Sequence, residues 1–178
     1  MKPRIIQRQA VAQSRLFCIE QVDLEFGNGV KASFEQLKGT GRGGVLVIPM
    51  LDEHTLLLVE EYALGVDHYE LGFVKGLVDG DEKFEEAAVR ELEEEVGFTA
   101  SHVEVLGDYN LMPAYSNFRN HILVAKNLSV RKREGDEPEP LKLVEWPIAR
   151  LRALFQHQRF TDARSHLALY LLIDHLRL

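Results

Sequence analysis

The chain has 178 residues, of which 46% are apolar, a length that suits one domain with its own core and no need for a disulfide or metal staple. Its formal net charge of −7 argues against a general polyanion binder such as a DNA-binding domain. A lone cysteine, Cys18, excludes an internal disulfide and fits a reducing compartment. The opening Met1-Lys2-Pro3-Arg4-Ile5-Ile6 turns polar without the long apolar core of a signal peptide. The apolar runs fall far short of the roughly 20 residues that span a bilayer, so a soluble, cytoplasmic protein is expected. Residues 15–37 read as a β-hairpin: strands at 16–19 and 22–26, a Gly27-Asn28-Gly29 turn, and a strand at 30–37. Residues 45–49 and 55–59 flank Asp52-Glu53-His54 and read as a second hairpin; 69–73 is a short strand. The period turns helical over 82–96, and Gly97 stands where a C-cap glycine belongs. Strands are expected at 103–111 and 119–125, and a loop at 136–140, where two prolines exclude helix and ladder. Helices at 147–156 and 162–176 close the chain. The order predicts an α/β protein with helices on both sides of a mixed central sheet.

The charge is concentrated. Between Gly76 and Phe98 stand nine acids and two bases, so this segment alone carries the chain's net −7. Dense acid in a short stretch points to cations; an anionic substrate approaches it only if metal ions reverse the local sign. At about 100° per residue, Phe84, Ala87, Ala88, Val89, Leu92 and Val96 fill an apolar arc of roughly 200°. Glu91 and Glu95 fall inside that arc, about 20° to either side of Phe84, and Glu94 lies at its edge. Burying such carboxylates ionised and unpaired costs several kcal/mol. Hard divalent cations, Mg²⁺ or else Mn²⁺, would remove that cost. A solvated acidic face accounts instead for Glu82, Glu85, Glu86 and Glu93. Arg90 lies one turn from both Glu86 and Glu94, as a clamp on the carboxylates or as a surface pair.

The same residues spell G-x5-E-x7-R-E-U-x-E-E-x-G-U through Gly76, Glu82, Arg90, Glu91, Leu92, Glu94, Glu95, Gly97 and Phe98. This resembles the Nudix box, with Phe98 bulkier than the usual aliphatic. The resemblance implies a Nudix-type α/β/α sandwich over residues 1–178, in which 1–40 form an N-terminal β-hairpin extension and 76–98 the box. It implies hydrolysis of a diphosphate linkage, with Mg²⁺ held by Glu91, Glu94, Glu95 and the main-chain carbonyl of Lys75. The likeness extends through Ser14-Arg15-Leu16-Phe17, Glu61-Tyr62-Ala63 and Tyr69-Glu70-Leu71-Gly72-Phe73 to a bacterial group within the family. That group acts on ADP-ribose, diadenosine triphosphate and NADH, yields AMP, and is usually homodimeric. Another nucleoside-diphosphate-sugar, or a non-catalytic nucleotide sensor, is the alternative. The chain departs from the group at Glu60, where the resemblance implies arginine.

The resemblance also implies a catalytic glutamate on a loop after the box: Glu137 first, Glu139 second, an exposed acidic loop being the bland reading. With Glu94 and Arg90, Glu137 makes up the expected catalytic set. Tyr62, Tyr115 and Phe118 could stack a purine, although aromatic residues are more often core. Tyr62, Glu70, Tyr115 and Glu139 are assigned to substrate. An isomerase of the isopentenyl-diphosphate type would need an active-site cysteine, and Cys18 lies far from the box in sequence. The histidines show no zinc spacing. Leu167, Tyr170, Leu171 and Leu172 give the last helix an apolar face, read as internal or as support for a homodimer.

Overall fold

The computed structural model describes residues 1–39, 41–135 and 138–178. Backbone contacts group them into two units. Met1–Gly43 with Asn110–Arg119 form the first, and Gly44–Tyr109 with Asn120–Leu178 the second.

The first unit contains an antiparallel three-stranded sheet, β1 (Arg4–Gln13), β2 (Cys18–Glu25) and β3 (Lys31–Leu37), in that order. The expected Gly-Asn-Gly turn joins β2 to β3, with Gly29 at φ 82°, a left-handed conformation that glycine adopts without strain. The two expected strands at 16–19 and 22–26 are in fact one, β2. Leu16 and Phe17 stand exposed in a turn closed by Ser14, whose Oγ accepts the Phe17 N–H at 2.9 Å. β1 went unforeseen because every one of its residues is exposed, so its sequence shows no buried face to betray a strand.

The second unit is the expected α/β/α sandwich. Its centre is a mixed sheet ordered β7 (Val74–Leu77), β4 (Gly44–Pro49), β9 (Arg119–Val130), β8 (Phe98–Asn110). Its β4–β9 pair is parallel and its β4–β7 pair antiparallel. A second, antiparallel sheet runs β10 (Lys142–Pro147), β5 (Thr55–Ala63), β6 (His68–Gly72). The reading of 45–49 and 55–59 as one hairpin therefore fails. β4 and β5 enter different sheets, and an isolated bridge joins Met50, just past β4, to Leu56.

β4 is buried along its whole length, as strands covered on both faces are. Val45 and Val47 face one core with Ala87, Ala88 and Leu92; Leu46 and Ile48 face the other with Leu169 and Leu172. The second core is closed by a 3-10 segment, Ile148–Gln156, and by α2 (Ala163–His175). The predicted helix at 147–156 is thus the tighter 3-10 form, broken at Arg150, and Pro147 ends β10 instead of opening a helix. Asp162 caps α2 by accepting the Arg164 N–H at 2.8 Å. The buried face of α2 comprises Ala168, Leu169, Leu172 and Ile173; Leu167 and Leu171 are half-buried, and Tyr170 is exposed against Phe155. Among the described residues, no helix is long and apolar enough to cross a membrane.

Candidate active site

The acidic segment begins on β7 and continues through α1 (Phe84–Glu91) into a π-helical turn, Leu92–Val96. The expected α-helix over 82–96 is thus α-helical only in its first half. The Gly97 N–H donates to the Leu92 carbonyl five residues back, and Gly97 itself takes φ 76°, the left-handed C-cap that its position predicts. Ala87, Ala88, Leu92 and Val96 anchor both halves on β4, β7 and β9, while Phe84 stacks on the buried His121 ring at 3.5 Å. A π-turn widens the helix and shifts every following side chain, so a uniform 100° wheel misplaces residues beyond Glu91.

Arg90 organises the carboxylates. Its Nη1 donates to Glu91 Oε1 at 2.7 Å and to Glu94 Oε2 at 3.1 Å. Its Nη2 donates to Glu82 Oε1 and to the Leu77 carbonyl, each at 2.8 Å, and its Nε to Glu82 Oε2 at 3.3 Å. These bonds, Glu82 foremost, push the Arg90 pKa further up and fix it as a cation. Arg90 is thus a clamp on three carboxylates. Its partners are Glu82, Glu91 and Glu94, with Glu86 engaged instead by the Lys83 N–H at 2.8 Å. Glu91 rests directly on the Gly76 backbone, where an added Cβ would fall 1.8 Å from its carboxyl carbon. The box glycine is a cradle.

Glu95 is in the opposite condition. Its Oε2 is shielded from solvent and has no hydrogen-bond partner. Burial foremost raises its pKa to about 8, with the Glu91 and Glu61 charges adding to the rise and the Lys75 ammonium and N–H opposing it. Lys75 Nζ sits 3.4 Å from Glu61 Oε2. Among the described residues, no three acidic, imidazole or thiol side chains stand close enough to form a ready cage for an ion. The donor set nonetheless fits a hard divalent cation, since a desolvated carboxylate oxygen lacking a partner is what such an ion satisfies.

The glutamates assigned to a solvated face divide. Glu85 and Glu86 are exposed, whereas Glu82 is bound by Arg90, and Glu93 is only 3% exposed between Arg131 and Arg133 at 3.4 Å each. The buried pairing of Glu93 is what sequence reasoning missed; its partners lie nearly forty residues downstream.

A cleft of about 350 Å³ opens beside Glu94 and Glu95, walled by Lys132, Arg133, Glu139 and Leu141. Glu139 accepts the Tyr69 hydroxyl at 2.6 Å, which ties the loop to β6. Glu137 lies outside the described residues. A second cleft, of about 280 Å³, is lined by Glu61, Tyr62, Glu70, Lys75, Asp162 and Arg164. There Tyr62 donates to Asp67 at 2.5 Å and meets Tyr69 edge-on at 5.6 Å. Glu70 Oε2 accepts the Thr161 N–H and hydroxyl at 3.0 and 2.9 Å. Its buried Oε1 carries no hydrogen bond, although His68 Nε2 stands 3.3 Å away. Tyr115, 68% exposed, and Phe118 belong to the first unit. Glu60 is shielded by Arg159 at 2.8 Å and Lys142 at 3.4 Å, so its departure from arginine is matched by two basic neighbours.

Comparison with known proteins gives two family matches: the NUDIX domain over residues 41–169, and the N-terminal domain of NudE-type Nudix hydrolases over residues 3–36. The ADP compounds hydrolase NudE of Escherichia coli (strain K12) is 46% identical over 99% of this chain and 94% of its own. The ADP-ribose pyrophosphatase of Bacillus subtilis (strain 168) is 26% identical over 92% of this chain and 91% of its own. A crystal structure of an ADP compounds hydrolase superposes with a TM-score of 0.94, at 45% identity, covering 99% of this chain and 95% of the other.

Proposed function

This chain belongs to the Nudix hydrolase family, and from that premise we propose that it cleaves the diphosphate linkage of ADP-ribose, diadenosine triphosphate and NADH, releasing AMP. The observation that carries the reading is the pairing of a clamped Glu91–Glu94 set with a desolvated Glu95 whose Oε2 has no hydrogen-bond partner. Nudix hydrolases generally need a divalent metal ion. Here Mg²⁺, or Mn²⁺ in its place, is assigned to Glu91, Glu94 and Glu95, with the Lys75 carbonyl as a further donor. When bound, the cation neutralises charge on the phosphate oxygens and lowers the pKa of a water molecule.

The chain's own groups do the rest. Arg90 holds and orients Glu91 and Glu94. Glu137 is assigned as the base that takes the proton of the attacking water, and Glu139, steadied by Tyr69, as a contact to substrate. The second cleft is assigned to the nucleoside hydroxyls. Its Glu70 Oε1 is a buried acceptor that makes no hydrogen bond, with His68 Nε2 3.3 Å away, and Tyr62 offers a flat ring face nearby. A cytoplasmic homodimer that binds neither nucleic acid nor membrane completes the reading; sedimentation of the purified chain tests the dimer. Incubation of the protein with each of the three substrates and Mg²⁺, followed by chromatography, should yield AMP from each. Cleavage of a different nucleoside-diphosphate-sugar alone would move the specificity, and AMP from none of them would overturn the reading.

A further inference from the structure

We infer that Glu93, a position the box pattern leaves unspecified, is a positioning residue that holds Glu94 in place through Arg133. The inference rests on the proposed role of Glu94 as a metal ligand. Glu93 Oε1 lies 3.4 Å from Arg131 Nε and Glu93 Oε2 3.4 Å from Arg133 Nη2. The backbone repeats the attachment. The Arg133 N–H donates to the Glu93 carbonyl and the Arg131 N–H to the Gly97 carbonyl, each at 2.9 Å. The far side of Arg133 then reaches Glu94: its Nη1 stands 3.9 Å from Oε1, while Arg90 holds Oε2 at 3.1 Å. One carboxylate is thereby flanked by two guanidinium groups. Gly135 continues the strap, its backbone so close that a Cβ would lie 3.4 Å from Glu94 Cβ.

An arginine half exposed to water loses side-chain entropy when it is held to one geometry, and an isolated surface pair seldom repays that loss. A carboxylate that is 3% exposed changes the balance, because it must be paired once it is buried. Glu93 therefore fixes Arg133, and Arg133 limits how far Glu94 can turn.

The test titrates the full-length chain with Mn²⁺ alone by calorimetry and measures steady-state kinetics on ADP-ribose, for Glu93→Gln, Arg133→Ala, Arg131→Ala and, as benchmark, Glu94→Gln. Arg133→Ala and Glu93→Gln should each weaken Mn²⁺ binding and lower kcat by about tenfold, the scale of groups that support a metal ligand, with KM changed far less. Arg131→Ala should do less than Arg133→Ala. Should Glu93→Gln fail to fold, Arg133→Ala carries the test, since that side chain is half exposed. If Glu94→Gln abolishes Mn²⁺ binding while Arg133→Ala leaves it intact, the positioning role falls and the metal assignment stands. A rise in KM alone for Arg133→Ala would likewise overturn it, making Arg133 a substrate contact. If Glu94→Gln itself binds Mn²⁺ normally, the underlying metal assignment fails and the inference with it.

Discussion

The α-helical stretch Phe84–Glu91 and the π-turn Leu92–Val96 are consecutive pieces of one helix, yet they treat their glutamates in opposite ways. In the first, acids are either in water, as Glu85 and Glu86, or seated on Arg90, as Glu91. In the second, three successive glutamates meet three environments: Glu93 between two arginines, Glu94 between Arg90 and Arg133, and Glu95 with a buried oxygen left unserved. The first stretch is electrostatically settled. In the second, the Glu95 oxygen is held in an unfavourable state that a proton or a bound cation relieves, which is how a binding site differs from a structural ion pair.

The contrast can be broken at its strongest point. Arg90→Ala would leave Glu82, Glu91 and Glu94 without their shared cation, and should cost about 3–5 kcal/mol of stability in urea unfolding, together with activity. Glu95 sharpens the other side. Its folded pKa of about 8 lies above the ordinary 4.5, so between those values the folded chain binds more protons than the unfolded one. The contribution of Glu95 to metal-free stability should therefore be fully present below pH 4.5 and fall on the order of 2–4 kcal/mol as pH rises to 8, so the stability difference between the parent chain and Glu95→Gln should change by that amount across the interval. A difference between the two chains that does not vary with pH would mean Glu95 is not buried. Glu94→Gln should lower turnover by about 10²-fold while urea midpoints barely move, because it removes a ligand and not a core contact. Glu85→Ala, at an exposed position on the settled half, should change stability by less than about 0.5 kcal/mol and leave kinetics untouched.

Much of this was legible from residues alone. Spacing marked Gly76, Arg90 and the three glutamates, because a pattern bound to backbone geometry survives in one dimension. The sandwich was legible because strands buried on both faces read as unbroken apolar runs, as in β4. What escaped depends on partners distant in sequence. The burial of Glu93 is set by Arg131 and Arg133, and a solvated face was the natural reading without them. The π-turn leaves no composition mark, so the helix was drawn too regular. β1 and β10 went unread for a related reason: the first is exposed throughout, and the second alternates only weakly beside a proline-rich loop.

Arg90 also imposes a rule of valence. A guanidinium owns five N–H hydrogens, and all five are spoken for by oxygens of Glu82, Glu91, Glu94 and Leu77. Lysine offers three hydrogens from a single nitrogen, so at least two of those oxygens would go without, however well its charge matched. The position is closed to the other basic side chain by counting alone.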